Sequence, residues 1–152
     1  MQKAMFGAGC FWGVEATFHH VKGVTSTAVG YSGGYLKNPT YKDVCTGKTG
    51  HAEVVEVEYD PAIVSYEELL RVFWNSHNPT MSNRQEPGIG TQYRSVIFHT
   101  PEQEAAAIAS KDQLRQSNRY KNPIVTEIKL ASQFYKAEEY HQQYLEKHNR
   151  RL

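Results

Sequence analysis

The stretch that most restricts the fold is Ala52–Tyr59, which reads Ala-Glu-Val-Val-Glu-Val-Glu-Tyr. It holds no glycine or proline, it is rich in valine, and Asp60-Pro61 stops it. Such a run predicts a β-strand. Side chains alternate faces along a strand, so Glu53, Val55, Val57 and Tyr59 form one row, and Ala52, Val54, Glu56 and Glu58 the other. The first row is apolar except for Glu53. Alternation therefore turns Glu53 inward with its neighbours, where desolvation favours the protonated carboxyl. Its place at the strand's first turn leaves a second option open, in which the carboxylate bends out to water.

Around this strand, β-branched runs alternate with helical patterns. Residues 3–8 predict a strand. Residues 10–20 predict a helix with Phe11, Val14, Phe18 and Val21 on one face, ended by Gly23. Residues 24–31 predict a second strand. Ser65-Tyr66-Glu67-Glu68 is a capping box, and the helix it opens turns Leu69, Leu70, Phe73 and Trp74 to the core. A strand is predicted over 93–99. Thr100-Pro101-Glu102-Gln103 is another capping box, with proline at its favoured first position, and its helix runs to about residue 118. A strand follows over 124–130, then a last helix over 137–147. The segments 32–50 and 76–91 are polar and marked by glycine and proline, and loops of that length are usually functional. The expectation is an α/β (α+β) fold, a single mixed sheet with helices packed on it, in one catalytic domain over residues 1–152. A chain of 152 residues can bury its core without disulfides or metal.

The formal net charge is +1, which points to neither nucleic acid nor an anionic membrane as partner. No run is long and apolar enough for a transmembrane helix, and the first residues lack the apolar segment of a signal peptide. With only two cysteines, Cys10 and Cys45, a reducing cytoplasmic location is expected.

One of those cysteines sits in an unusual setting. Gly7-Ala8-Gly9-Cys10-Phe11-Trp12-Gly13 places a thiol between a predicted strand and the start of a predicted helix. Unpaired backbone N–H groups and the positive helix end there favour the thiolate, the form that attacks electrophiles. Phe11 and Trp12 supply an apolar wall. A plain buried cysteine is the alternative reading. The seven histidines show no metal-ligand spacing, His51 pairs with Cys10 as a dyad by position only, and the glycines before Cys10 make no dinucleotide fingerprint. What remains is Cys10, an inward Glu53, and tyrosines at the loop edges, Tyr41 and Tyr93. A thiolate attacks an electrophilic centre while the acids protonate an oxygen that leaves it. A thiol peroxidase and a non-enzymatic module that binds methionine-containing segments would use the same residues.

The blocks Gly9-Cys10-Phe11-Trp12-Gly13, Gly30-Tyr31-Ser32-Gly33-Gly34, Asn38-Pro39-Thr40-Tyr41, Gly50-His51-Ala52-Glu53-Val54-Val55, Gly90-Thr91-Gln92-Tyr93-Arg94-Ser95 and Glu138-Glu139-Tyr140-His141-Gln142 resemble, in order, those of the type A peptide methionine sulfoxide reductases. The resemblance implies a two-layer α/β sandwich with a ferredoxin-like core. It implies reduction of methionine-S-sulfoxide, free or in proteins, with Cys10 as nucleophile and a sulfenic acid on Cys10 as product. Phe11, Trp12 and Tyr93 would hold the S-methyl group, Glu53 would protonate the sulfoxide oxygen, and Tyr41 and Tyr93 would hydrogen-bond it. No metal or bound cofactor is implied. A thiol donor (thioredoxin, glutaredoxin or glutathione) would complete the cycle. Two departures stand out. No cysteine follows Cys45, so either an external thiol reduces Cys10 directly, which is the expectation, or Cys45 serves as an internal partner; and Gly88 stands where many members have aspartate, with Glu86 nearby.

Overall fold

The computed structural model describes residues 1–81, 84, 85 and 88–149. Its centre is a six-stranded sheet. The strands are β1 (Gln2–Ala8), β2 (Val24–Ser32), β3 (Ala52–Tyr59), β6 (Ser95–His99), β7 (Glu127–Leu130) and β8 (Tyr135–Lys136). They lie in the order β7-β6-β1-β3-β2-β8, and only β6 and β7 run parallel. The remaining pair, β4 (Arg84–Gln85) and β5 (Gly88–Ile89), forms a separate antiparallel two-stranded sheet within the second long loop. Gly88 belongs to it, and Glu86 lies outside the described residues.

Helix α1 (Phe11–His19) joins β1 to β2, and α3 (Tyr66–Asn75) leads from β3 towards β6. With β3 between β1 and β2, and β1 between β3 and β6, these are two interlocked split βαβ units. The four inner strands thus have the ferredoxin-like order. Both helices bury their apolar side against one face of the sheet. Phe6 of β1 stacks on Phe18 of α1 at 5.0 Å and on Phe73 of α3 at 5.2 Å. Val55, Val57 and Tyr59 complete that core. The alternate row, Ala52 and Val54, packs with Met5, Val96 and Phe98 on the opposite face. Helix α4 (Glu104–Gln116) lies against α3, with Trp74 Nε1 donating to Ser110 Oγ at 3.1 Å.

Both predicted capping boxes form, at Ser65/Glu68 and Thr100/Gln103. A third, Thr40/Asp43, opens the short helix α2 (Tyr41–Cys45) inside the segment expected to be loop. It was hidden because its partner is aspartate and its helix is one turn long. Three boundaries differ from expectation. Tyr93 closes a 3₁₀ turn, Thr91–Tyr93, and the strand begins at Ser95. Residue 125 gives its N–H to the Pro79 carbonyl rather than to the sheet, so β7 starts at Glu127. The helix expected over 137–147 is instead a 3₁₀ turn at Glu139–His141 and the short α5 (Tyr144–Asn149), with β8 just before them. Long-range bonds override helical periodicity there. Gln142 takes the N–H of Val29 and donates to its carbonyl, both at 2.9 Å, and Gln143 turns at φ 49°.

Candidate active site

Cys10 occupies the cap position of α1, after Gly9 at φ 105°, a left-handed turn that glycine adopts without strain. The turn points the thiol out of the sheet's end while Phe11 begins the helix. The N–H groups of Trp12 and Gly13 face the sulfur and lower its pKa, as the helix start predicts. Burial is the larger effect, and the Glu53 charge adds to it, so the thiol is held above its ordinary value. The expectation of a resting thiolate is corrected on this point.

Glu53 does face inward and is 1% exposed. β3 carries it beneath the first turn of α1, where the Phe11 N–H donates to Oε1 at 3.1 Å. Oε2 is buried with no partner. Burial pushes its pKa up to about 7, against the modest opposing pull of the Phe11 N–H. Glu53 is distant from Cys10 in sequence, yet its charge bears on the thiol.

A groove of about 900 Å³ opens at Cys10 and is lined by Trp12, Tyr41, Tyr93, His77 and Met81 among others. Tyr41 comes from α2 and Tyr93 from the 3₁₀ turn before β6. Burial raises both phenols, Tyr93 to about 12, so each hydroxyl keeps its proton. Phe11 is placed differently: it is 1% exposed, does not line the groove, and backs it by packing on Tyr31, Tyr41 and His141. His51 forms no dyad with Cys10. Its Nδ1 accepts the Gly34 N–H at 3.0 Å and its Nε2 meets the Leu36 carbonyl at 2.7 Å, which braces the first long loop. His77 also has both nitrogens engaged, Nδ1 with the Phe73 carbonyl at 2.9 Å and Nε2 with Ser95 Oγ at 2.6 Å. Burial lowers its pKa to about 4, so it stays neutral in the groove wall.

Residues 2–152 match the family described as peptide methionine sulfoxide reductase. The chain is 64% identical over 151 residues to the MsrA of Methanothermobacter thermautotrophicus, covering 99% of this chain and 89% of that one. It is 65% identical over 148 residues to the MsrA of Geobacter metallireducens, covering 97% and 91%. This chain belongs to the peptide methionine sulfoxide reductase A family. It is an enzyme, an oxidoreductase of that family. Among solved structures it resembles Mxr1 of Saccharomyces cerevisiae in reduced form, with TM-score 0.91 and 36% identity over 97% of this chain and 86% of that one. Methionine sulfoxide reductase A of Corynebacterium diphtheriae matches with TM-score 0.85 and 39% identity, over 97% and 75%. The yeast protein is also known in complex with Trx2.

Sequence reasoning gave no role to the C-terminal segment of this reductase, although it reaches the groove at Leu145 and supports Trp12 and Tyr41 of the groove lining. Glu138 accepts the Tyr31 hydroxyl at 2.9 Å and the backbone N–H of Tyr41 at 3.0 Å, so it fixes the start of α2. Burial alone would raise Glu138, but these donors outweigh it and hold the carboxylate below its ordinary value. His141 Nδ1 accepts the Trp12 indole N–H at 2.9 Å, and Tyr144 stacks on the same indole at 3.8 Å. The hydrogen-bonded pairs lie 97 to 129 residues apart in sequence, and no local pattern announces them. Among the described residues, no helix is long and apolar enough to cross a membrane.

Proposed function

We propose that the enzyme reduces methionine-S-sulfoxide, free or within proteins, by transferring the sulfoxide oxygen to Cys10. The single observation that carries this reading is Glu53: a carboxyl 1% exposed, pushed to about 7, with one oxygen fixed by Phe11 N–H and the other unpaired. A carboxylic acid held neutral near pH 7 is a proton donor for the oxygen. The substrate methyl group lies against Trp12, with Phe11 behind and Tyr93 alongside, and the sulfoxide oxygen takes hydrogen bonds from Tyr41 and Tyr93. The Cys10 sulfur attacks the sulfoxide sulfur as Glu53 protonates the oxygen. The sulfur–sulfur bond made by this attack and the substrate's sulfur–oxygen bond both break as the hydroxyl passes to Cys10, and the thiol proton of Cys10 replaces the one that Glu53 gave. In sum, thiol and sulfoxide become sulfenic acid and thioether: the substrate sulfur gains two electrons and the cysteine sulfur loses two. Protonation of Glu53 also removes a negative charge that raises the thiol, so acid and nucleophile are readied together.

Two thiol equivalents return the sulfenic acid to thiol and water. We assign that step to an external donor such as thioredoxin, glutaredoxin or glutathione, in a reducing cytoplasm. Cys45 is exposed and its charge bears on Cys10, so it is the internal alternative that the test below separates from an outside donor. The yeast relative's complex with Trx2 is in keeping with a protein donor.

The test is turnover of each sulfoxide epimer with dithiothreitol. Reduction of the S form only, abolished in Cys10→Ser, is expected; turnover that survives Cys10→Ser ends the proposal. Mass analysis after one turnover without reductant should find one added oxygen on Cys10. A Cys10–Cys45 disulfide would replace the external donor with an internal one.

A further inference from the structure

Tyr93 and Arg94 are neighbours in the chain and line different clefts. Tyr93 reaches the groove at Cys10. Arg94 lines a second cleft of about 700 Å³, with Tyr35, Lys48 and Lys129 around it, and its side chain is only 11% exposed. The guanidinium gives its fork to two backbone carbonyls: Nη1 donates to Thr91 and Nη2 to Gly50, both at 2.9 Å. Nε donates to Glu127 Oε1 of β7 at 3.3 Å, and Lys129 Nζ lies 3.3 Å from the same oxygen. Thr91 opens the 3₁₀ turn that carries Tyr93, and Gly50 stands just ahead of β3, which carries Glu53. The two places joined in this way are held unequally. β3 is locked into the sheet from its first residues, with Ala52 opposite Ser32 and Glu53 opposite Tyr31. The Tyr93 turn lies beyond Ser95, the end of the pairing between β6 and β1, and its bond from Tyr93 N–H to the Gly90 carbonyl is local. Thr91 Oγ1 adds a bond to Gly47 of the first long loop, whereas Arg94 ties the turn to the root of β3.

We propose that Arg94 is a positioning residue: it straps the Tyr93 turn to the start of β3, so that the Tyr93 hydroxyl and the Glu53 carboxyl meet the same substrate oxygen. This rests on the roles of Glu53 and Tyr93 given above. The strap needs a guanidinium. Its planar, charged set of N–H groups fits two carbonyls and a carboxylate at once, and such bonds are about twice as strong as neutral ones. A lysine keeps the charge for Glu127 but is a single point that cannot bridge both carbonyls. The role is geometric rather than electrostatic. Glu127 balances the Arg94 charge beside the second cleft, while burial and the Phe11 N–H set the Glu53 carboxyl.

The experiment uses the full chain and reads the first turnover of methionine-S-sulfoxide, before any reductant acts. Wild type, Arg94→Lys, Tyr93→Phe and the double variant are compared. Tyr93→Phe should slow the first turnover roughly tenfold, as for one lost hydrogen bond to the oxygen. Arg94→Lys should slow it by a similar factor, with the half-saturating sulfoxide concentration within about twofold. The double variant should be no slower than Tyr93→Phe alone, because both changes remove the same interaction. The fall in rate above pH 7 should stay in place in Arg94→Lys. An unchanged rate in Arg94→Lys, losses that multiply to about a hundredfold in the double variant, or a pH profile that moves with Arg94 overturns the proposal. Should Arg94→Lys not fold, Arg94→Gln takes its place in the same cycle. Placement is also read without catalysis, by fluorine NMR of protein labelled with fluorotyrosine, in which the signal missing from Tyr93→Phe is that of Tyr93. That signal should shift or broaden in Arg94→Lys; if it stays put, Arg94 does not place the ring. A Tyr93→Phe variant as fast as wild type would sink the role given to Tyr93, while the fluorine signal would still decide the Arg94–Tyr93 coupling.

Discussion

Two glutamates are buried to the same degree, Glu15 in α1 and Glu53 in β3, each 1% exposed, and the protein treats them in opposite ways. Glu15 is saturated with donors. Its Oε1 accepts the Gln143 backbone N–H at 2.8 Å, and its Oε2 accepts Thr27 Oγ1 at 2.8 Å and Gln143 Nε2 at 2.7 Å. Glu53 receives a single N–H and keeps one oxygen bare. A buried carboxyl given three donors has both oxygens committed to holding the structure together. One given a single donor cannot hold its charge, and burial pushes it to about 7. Burial alone does not make a reactive acid; the withheld hydrogen bonds do. Glu15 serves as the pin that fastens the C-terminal segment to the first helix, and Glu53 as the group left free to exchange a proton.

The largest break of this contrast is Glu53→Ala. Loss of the proton donor should lower kcat with methionine-S-sulfoxide by about a hundredfold or more, the range for general acid catalysis. Glu53→Gln, which keeps a donor, should retain more activity than Glu53→Ala. Near-wild-type rates in both would remove Glu53 from the reaction. Next comes Glu15→Ala. It strands the Thr27 hydroxyl and the Gln143 donors, and should cost about 3 kcal/mol in urea unfolding. If it costs nothing, the segment is held elsewhere.

Acidity probes Glu53 further. The Glu53 carboxyl goes from 4.5 in an unfolded chain to about 7 in the fold. Its neutral form is the one the fold favours, so its contribution is complete below pH 4.5 and fades as pH rises through 7. Over that span wild type should lose up to about 3 kcal/mol relative to Glu53→Gln. In the proposed reaction kcat/KM should fall as pH rises above 7 for the same reason. A flat difference between the two proteins across this window would contradict a neutral Glu53.

How much of this was written locally in the chain differs between the two residues. Glu53 was legible because strand alternation ties it to Val55, Val57 and Tyr59, and the β-α-β-β-α-β order was legible from capping boxes and β-branched runs. The position of Cys10 at a helix start was legible too, but the outcome for its acidity was not. Helix polarity is a local property, whereas burial depends on what the rest of the chain lays over the sulfur. Glu15 sits in α1 beside Val14 and looks like any helical glutamate; its partners are Thr27 and Gln143. Glu138 and His141 are likewise defined by contacts with Tyr31, Tyr41 and Trp12. The last helix was misplaced for the same reason: Gln142 and Gln143 satisfy distant backbone and carboxylate groups, and a helix through them would give those bonds up.

The smallest effect, and the finest probe, lies at Gln143. Its side chain gives Glu15 one of its three donors, while its backbone N–H, which no substitution except proline removes, gives another. Its φ of 49° is a left-handed conformation that costs an ordinary residue energy and glycine almost none. Gln143→Gly therefore loses a charge-assisted bond of about 2 kcal/mol and relieves about 1 kcal/mol of backbone strain. A net loss of about 1 kcal/mol is expected, smaller than for Glu15→Ala. Gln143→Ala loses the bond and keeps the strain, so it should be the less stable of the two. If alanine and glycine unfold at the same urea concentration, the turn at Gln143 carries no strain. If both equal Glu15→Ala, the side-chain amide rather than the backbone N–H is what fastens the segment to α1.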